Sequence, residues 1–400
     1  MSTVPLLAAD GSVSSIELRE PVVSERPAGP LTTRTAYAAA HVIPKAWADN
    51  VPGAPADLDW DATLAYRHHV WSYGLGVADA MDTAQRNMGL DTVATRELIS
   101  RSAAEAVTVG GALVVGVNTD HLTDEQVSID AVTCAYLEQL AFAEDAGAGT
   151  VLMASRHLAR AATGPDDYRR VYDRVLSAAQ SPVVLHWLGT AFDPSLAGYF
   201  GSPQLADASD TLLRIMADNV DHVAGVKMSL LDADAEIAVR RRLPAGTTMY
   251  TGDDFNYVDL IAGDDLGHSD ALLGAFTAIA PAASAAIQAL DAGDRVGYER
   301  ILRPTEALSR QIFAAPTYYY KTGIAFLSWL NGHQPAFSMV GGLHAARSLP
   351  HLSEIVRLAD NAGALERPDL AAERWSGLLR SAGLGITADL RSPSLSGSHR

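Results

Sequence analysis

The sequence predicts a (β/α)8 TIM barrel with a C-terminal helical extension. Short apolar, β-branched runs alternate with longer amphipathic stretches from about residue 36 onward, eight such pairs fill residues 36–285, and beyond them the pattern is helical only. This alternation with short connections argues for parallel strands joined by right-handed crossovers. Eight units match a closed barrel better than an open sheet. Residues 1–35 are read as an N-terminal extension, 286–385 as the helical extension and 386–400 as a flexible tail rich in Ser, Arg and Gly.

"AYAAAHVIP" is the first expected strand. "DWDATLAYRHHVWSYGL" spaces Leu64, Val70 and Trp71 at helical intervals behind the capping candidate Asp59, and "GVADAM" is the second strand. A helix from near Asp91 leads to the third strand, "ALVVGVN". A helix from Asp124 ends at the glycines of "EDAGAG", and "TVLMAS" is the fourth strand. Pro165 opens the next helix, "PVVLHWLG" is the fifth strand, and a long excursion precedes the helix through "TLLRIMADN". "HVAGVKMS" and "TTMYTGDD" are the sixth and seventh strands, and "LIAGDDLGHSDALLG" holds a weaker eighth. The Ala-rich "PAASAAIQALDAG" and the aromatic "YYYKTGIAFLSWLNG" begin and continue the helical extension.

A net charge of −17 repels nucleic-acid phosphates and anionic lipid, so neither nucleic acid nor membrane is an expected partner. The single cysteine, Cys134, cannot close an intrachain disulfide, which fits a cytoplasmic location. No stretch approaches the roughly 18 uninterrupted apolar residues of a membrane span, and no glycine-rich phosphate-binding motif is present.

In a barrel of this type the chemistry sits at the C-terminal ends of the strands. Those ends carry Asp82, Thr83, Gln85 and Arg86, then Asn118 and Asp120, Ser155, Arg156 and His157, His186 and Trp187, Lys227 and Ser229, Asp253, Asp254 and Asn256, and last His268 and Ser269. Lys227 finishes a buried strand. Burial disfavours the charged amine and supplies the free base needed to attack a carbonyl; a lysine snorkelling to water or pairing with Asp232 is the structural alternative.

The order "GVADAMDTAQRNMGLD", "ALVVGVNTDHLT", "DAGAGTVLMASRHL", "PVVLHW", "GVKMS" and "YTGDD" followed by "LIAGDDLGHSDALLGAFTAIAP" resembles the dihydrodipicolinate synthase and N-acetylneuraminate lyase superfamily, and within it a divergent dihydrodipicolinate-synthase-like group. The resemblance implies a class I aldolase or lyase that forms a Schiff base, a helical bundle after the barrel, and a homo-oligomer, dimer or tetramer. It makes Lys227 the imine-forming lysine and matches Gly252 and Asp253 to the family's Gly-Asp turn. His186 stands where the family has a tyrosine that relays protons, and is expected to carry the proton. "DTAQRN" replaces the loop that receives a carboxylate, leaving Thr83 as its hydroxyl and Arg86 as an anion contact, while "SRHL" replaces a tyrosine-bearing segment.

The expected catalytic residues are therefore Lys227 and His186. Thr83, Arg86, Asn118, Arg156, His157, Ser229 and Asp253 are expected to bind a small carbonyl substrate, a 2-oxo acid or a sugar-derived keto compound. No cofactor is expected. A rival reading gathers Asp82, His157, His186, Asp253, Asp254 and His268 around a divalent metal, as in a sugar isomerase, epimerase or class II aldolase. A third reading keeps the barrel as a non-catalytic small-molecule binder. The adjacent His68 and His69 face different directions on a helix and are not expected to hold an ion together. "PTYYYKTG" either lines the mouth or packs on the barrel.

Overall fold

In the computed structural model, which describes residues 2–384, a hairpin precedes a closed barrel. Strands β1 (Thr3–Leu7) and β2 (Val13–Glu17) pair antiparallel. The barrel strands are β3 (Ala36–Ala39), β4 (Gly76–Asp79), β5 (Leu113–Val117), β6 (Gly149–Leu152), β7 (Val183–Leu188), β8 (Val223–Ser229), β9 (Thr248–Thr251) and β10 (Asp270–Leu273). Each runs parallel to the next, and β10 closes on β3. The expected (β/α)8 barrel with C-terminal helices is the observed architecture.

Alternation along the strands decides which side chains face inward. Val114, Val151, Val184 and Leu272 form a small cluster with Ala39, Ala78, Met81 and Met153 inside the barrel. Val226 and Met228 of β8 join the larger cluster outside it, under the helices. Asp59, Asp91, Ser128, Ser155 and Asp232 each accept a backbone N–H in the first turn of the helix they precede, satisfying a donor that the helix itself leaves free.

Several boundaries differ from the expectation. The third barrel helix begins at Ile129 behind Ser128, not at Asp124. "SRHL" opens a further short helix, Arg156–Ala161, behind Ser155. The eighth strand is shorter and later than expected, because "LIA" completes the helix Tyr257–Ala262. His268 and Ser269 consequently precede β10, at the end of the barrel opposite the mouth.

The helix Ala280–Asp291 crosses residue 285 and continues into four further helices, Arg295–Ile312, Tyr320–Leu330, Leu349–Asn361 and Pro368–Ser381. The N-terminal hairpin lies against the last two. Trp375 Nε1 donates to the Pro5 carbonyl at 2.7 Å, and the Leu7 N–H donates to Ser353 Oγ at 2.8 Å. Ile324, Phe326, Leu327 and Leu330 are fully buried, each contributing about 1.5–3 kcal/mol to holding Tyr320–Leu330 in the core. Among the described residues no helix is long and apolar enough to cross a membrane. The expected tail, 386–400, lies outside the described residues.

Candidate active site

Lys227 and Ser229 share the inward face of β8, where Lys227 stands in register with His186 on β7 and Tyr250 on β9. Just beyond β9, Gly252 leaves the space they need. A Cβ there would lie 2.1 Å from Ser229 Oγ, 2.8 Å from Lys227 Cε and 3.0 Å from the Met228 carbonyl, closer than real Cβ contacts.

Only 7% of Lys227 is exposed. It opens on a cavity of about 10 Å³ walled by Met81, Asp82, Thr83, Leu188, Phe192, Ser229, Asp254, Gly274 and Tyr320, room for about one water. Lys227 makes no hydrogen bond or ion pair among the described residues. Burial lowers its pKa below the ordinary lysine value, against the pull of Asp82 and Asp254. Burial also raises Asp254, to about 7, although the Ala275 N–H and Lys227 favour its anion. Asp254 accepts that N–H at 2.8 Å. A buried amine and a buried acid thus face one cavity, and burial shifts each towards its uncharged form. A larger groove, about 690 Å³, lies at the N-terminal ends of β3 and β4 around Tyr37, Gly76 and Ala112; Lys227 does not reach it.

Thr83 arrives on a short turn, Asp82–Ala84, whose surroundings are strained: Ala80, Gln85 and Asn87 have φ of 49°, 68° and 62°. Gln85 Nε2 holds the turn by donating to the Val340 carbonyl at 2.8 Å. Opposite, the C-terminal helix starting at Tyr320 delivers its phenol into the cavity, 2.8 Å from Thr83 Oγ1. The Tyr320 ring stacks on Phe313 with centroids 4.3 Å apart, and Phe192 meets it edge-on at 5.9 Å. Burial raises the Tyr320 pKa well above the ordinary value, so the hydroxyl keeps its proton.

Four of the expected residues are brought together: Lys227, Thr83, Ser229 and, behind them, His186. His186 does not wall the cavity. Its Nε2 lies 3.3 Å from Ser229 Oγ, its Nδ1 is buried without a partner, and burial with Lys227 nearby pushes its pKa well below the ordinary value. Both effects favour the uncharged imidazole.

The other five are engaged elsewhere. Arg86 is 1% exposed, pairs with Asp120 and donates to the Gly116 carbonyl and Gln139 Oε1, both at 2.7 Å, so no donor is left for an anion. Arg156 pairs with Asp193. Asn118 turns its carbonyl oxygen back to the Thr119 N–H, at 2.7 Å. His157 Nδ1 meets Thr119 Oγ1 at 2.9 Å. Asp253 closes its own turn, accepting the N–H groups of Phe255 and Asn256 at 2.9 and 3.1 Å. Trp187 packs outward against Phe200.

The six groups of the metal reading do not converge either, since His268 lies at the far end, near Asp270, and His157 and Asp253 are bonded as above. Of the two readings of "PTYYYKTG", Tyr320 takes the one at the mouth, while sequence reasoning missed Phe192 as a wall. It also missed Lys321, 3% exposed and lowered to about 8 by burial, whose Nζ donates to the Tyr318 carbonyl at 3.1 Å.

A family model described as "Protein of unknown function (DUF993)" matches residues 4–384. The chain belongs to this family. No curated protein matches it in sequence. Among solved structures it is similar to dihydrodipicolinate synthase from Thermotoga maritima, at 13% identity and a TM-score of 0.63 over 83% of this chain and 99% of that one. The enzyme from Bacteroides thetaiotaomicron is similar at 15% identity and a TM-score of 0.62, over 84% and 99%. A prophage protein of the dihydrodipicolinic acid synthase family from E. coli K12, solved in complex with pyruvate, is similar at 16% identity and a TM-score of 0.61, over 88% and 99%. The fold of these DUF993 residues is therefore that of the superfamily the strand-end motifs resemble.

Proposed function

We propose that the protein is a class I lyase or aldolase in which Lys227 forms a Schiff base with a 2-oxo acid or a sugar-derived keto compound. The observation that carries this reading is a lysine amine without a bonded partner at the C-terminal end of β8, buried and opening on a cavity beside a proton-bearing acid.

In the proposed sequence the neutral amine adds to the ketone carbon. Asp254 protonates the carbinolamine oxygen, water leaves, and the resulting iminium accepts the electron pair of the bond broken at the neighbouring carbon. The Tyr320 and Thr83 hydroxyls, in hydrogen-bond contact, carry the proton to or from that carbon. His186, set back from the cavity and 3.3 Å from Ser229 Oγ, acts through Ser229 as a positioning residue; the proton-carrying role expected of it passes to Tyr320. Because the cavity holds about one water, a substrate can enter only if its walls open.

Borohydride reduction in the presence of a panel of 2-oxo acids tests the reading. A stable mass adduct is expected on Lys227 and none on Lys321, the other buried amine near the mouth. Lys227→Ala is expected to abolish trapping with the circular dichroism spectrum unchanged. An adduct that persists in this variant, or no adduct with any keto compound, rejects the mechanism.

A further inference from the structure

On the flank of the barrel, three metal-binding side chains from separate parts of the chain meet at one point. His69 comes from the first barrel helix, Trp60–Ser72, His333 from the turn after Tyr320–Leu330, and Glu366 from the loop before Pro368–Ser381. Their donor atoms all lie within 4.8 Å of one another. Glu366 Oε1 stands 2.7 Å from His333 Nε2 and 3.7 Å from His69 Nε2. Around a tetrahedral ion with bonds of about 2.0–2.1 Å, neighbouring donors stand roughly 3.3 Å apart, so these spacings need only small shifts.

The donors are anchored. The His333 N–H donates to the Ser328 carbonyl at 3.0 Å. Asn331 holds the Glu366 segment from both sides, accepting its N–H at 3.0 Å and donating to the Ala364 carbonyl at 2.9 Å. Tyr66 stacks on His69 and meets His333 edge-on. The three side chains keep 15%, 18% and 28% of their surface exposed, which leaves a path for an ion and room for water as a fourth ligand.

We propose that His69, His333 and Glu366 form a divalent-cation site of the zinc class that clamps the C-terminal helices to the first barrel helix. Two imidazoles and one carboxylate suit Zn²⁺ better than Mg²⁺ or Ca²⁺, which prefer all-oxygen shells. The clamp grips the far end of the helix that begins at Tyr320. Binding displaces the hydrogen bond between His333 and Glu366. The site stands independently of the Schiff-base reading.

The test uses the full chain, stripped with EDTA and dialysed against Zn²⁺, with metal per chain measured by mass spectrometry. One Zn²⁺ per chain is expected, with Tm raised by about 3 °C at a hundredfold excess over Kd. His69→Gln and Glu366→Gln, at two partly exposed side chains, are expected to lose the ion and the Tm rise while the apo circular dichroism is unchanged. No stoichiometric Zn²⁺ overturns the proposal and leaves the cluster an ordinary histidine–carboxylate pair. So does Zn²⁺ retained by both variants, which places the ion elsewhere.

Discussion

Replacing Gly252 by alanine tests the position of the amine without touching it. The added methyl would fall 2.1 Å from Ser229 Oγ, 2.8 Å from Lys227 Cε and 3.0 Å from the Met228 carbonyl. The lysine end is flexible and can yield; the β8 backbone cannot. Overpacking of this kind costs about 1–3 kcal/mol. With an unfolding entropy of about 2.1 cal/mol/K per residue, a chain of this length loses roughly 1–4 °C in Tm. The larger effect falls on chemistry, since displacing a reacting atom by about 1 Å costs on the order of a hundredfold in rate. The rate of borohydride-trapped adduct, followed by mass spectrometry, is therefore expected to fall about a hundredfold in Gly252→Ala. It should not change in Gly29→Ala, where a Cβ meets nothing within 4 Å. If Gly252→Ala traps at the wild-type rate with unchanged Tm, the amine does not occupy the position described and the site geometry is wrong.

Tyr320→Phe is expected to keep imine trapping at Lys227 but to lower turnover by about 10²–10⁴, because only the proton transfer loses its carrier. Equal turnover in the variant excludes the phenol from the proton path. Glu236 gives a pH signature: buried against Thr251 and Ser269, its carboxyl is raised from the ordinary 4.5 to about 8. Between those values the unfolded chain has lost a proton that the folded chain keeps. Stability from this group is complete below the lower value and declines as pH rises towards 8, by up to about 1.4 kcal/mol per pH unit. Glu236→Gln, which mimics the protonated acid, is expected to flatten that decline in urea unfolding series across the window. Parallel wild-type and variant curves count against it.

The barrel was legible because buried parallel strands need β-branched runs and their helices need caps, and "ALVVGVN", "PVVLHW" and Asp59 display both directly. The eighth strand was misplaced for an equally local reason. "LIAG" is too short for its period to separate helix from strand, and only tertiary packing assigns Leu260 and Ile261 to a helix. Lys227 and Ser229 could be found because alternation along one strand fixes their face. Arg86 and Asp253 sit at strand ends as read, yet composition does not show that Asp120 and the Asn256 turn already occupy their polar groups. In sequence Tyr320 is one aromatic among several, since nothing in "PTYYYKTG" announces a contact with Thr83, 237 residues earlier.

That separation in sequence is also a separation in time during synthesis. The strand bearing the amine is made well before the phenol that roofs it, and chains are built and folded from the N-terminus. Until Tyr320 is in place, Thr83 lacks the hydroxyl partner it has in the folded chain. On the proposed reading of the site, the cavity around Lys227 is therefore complete only once the helix that begins at Tyr320 has docked.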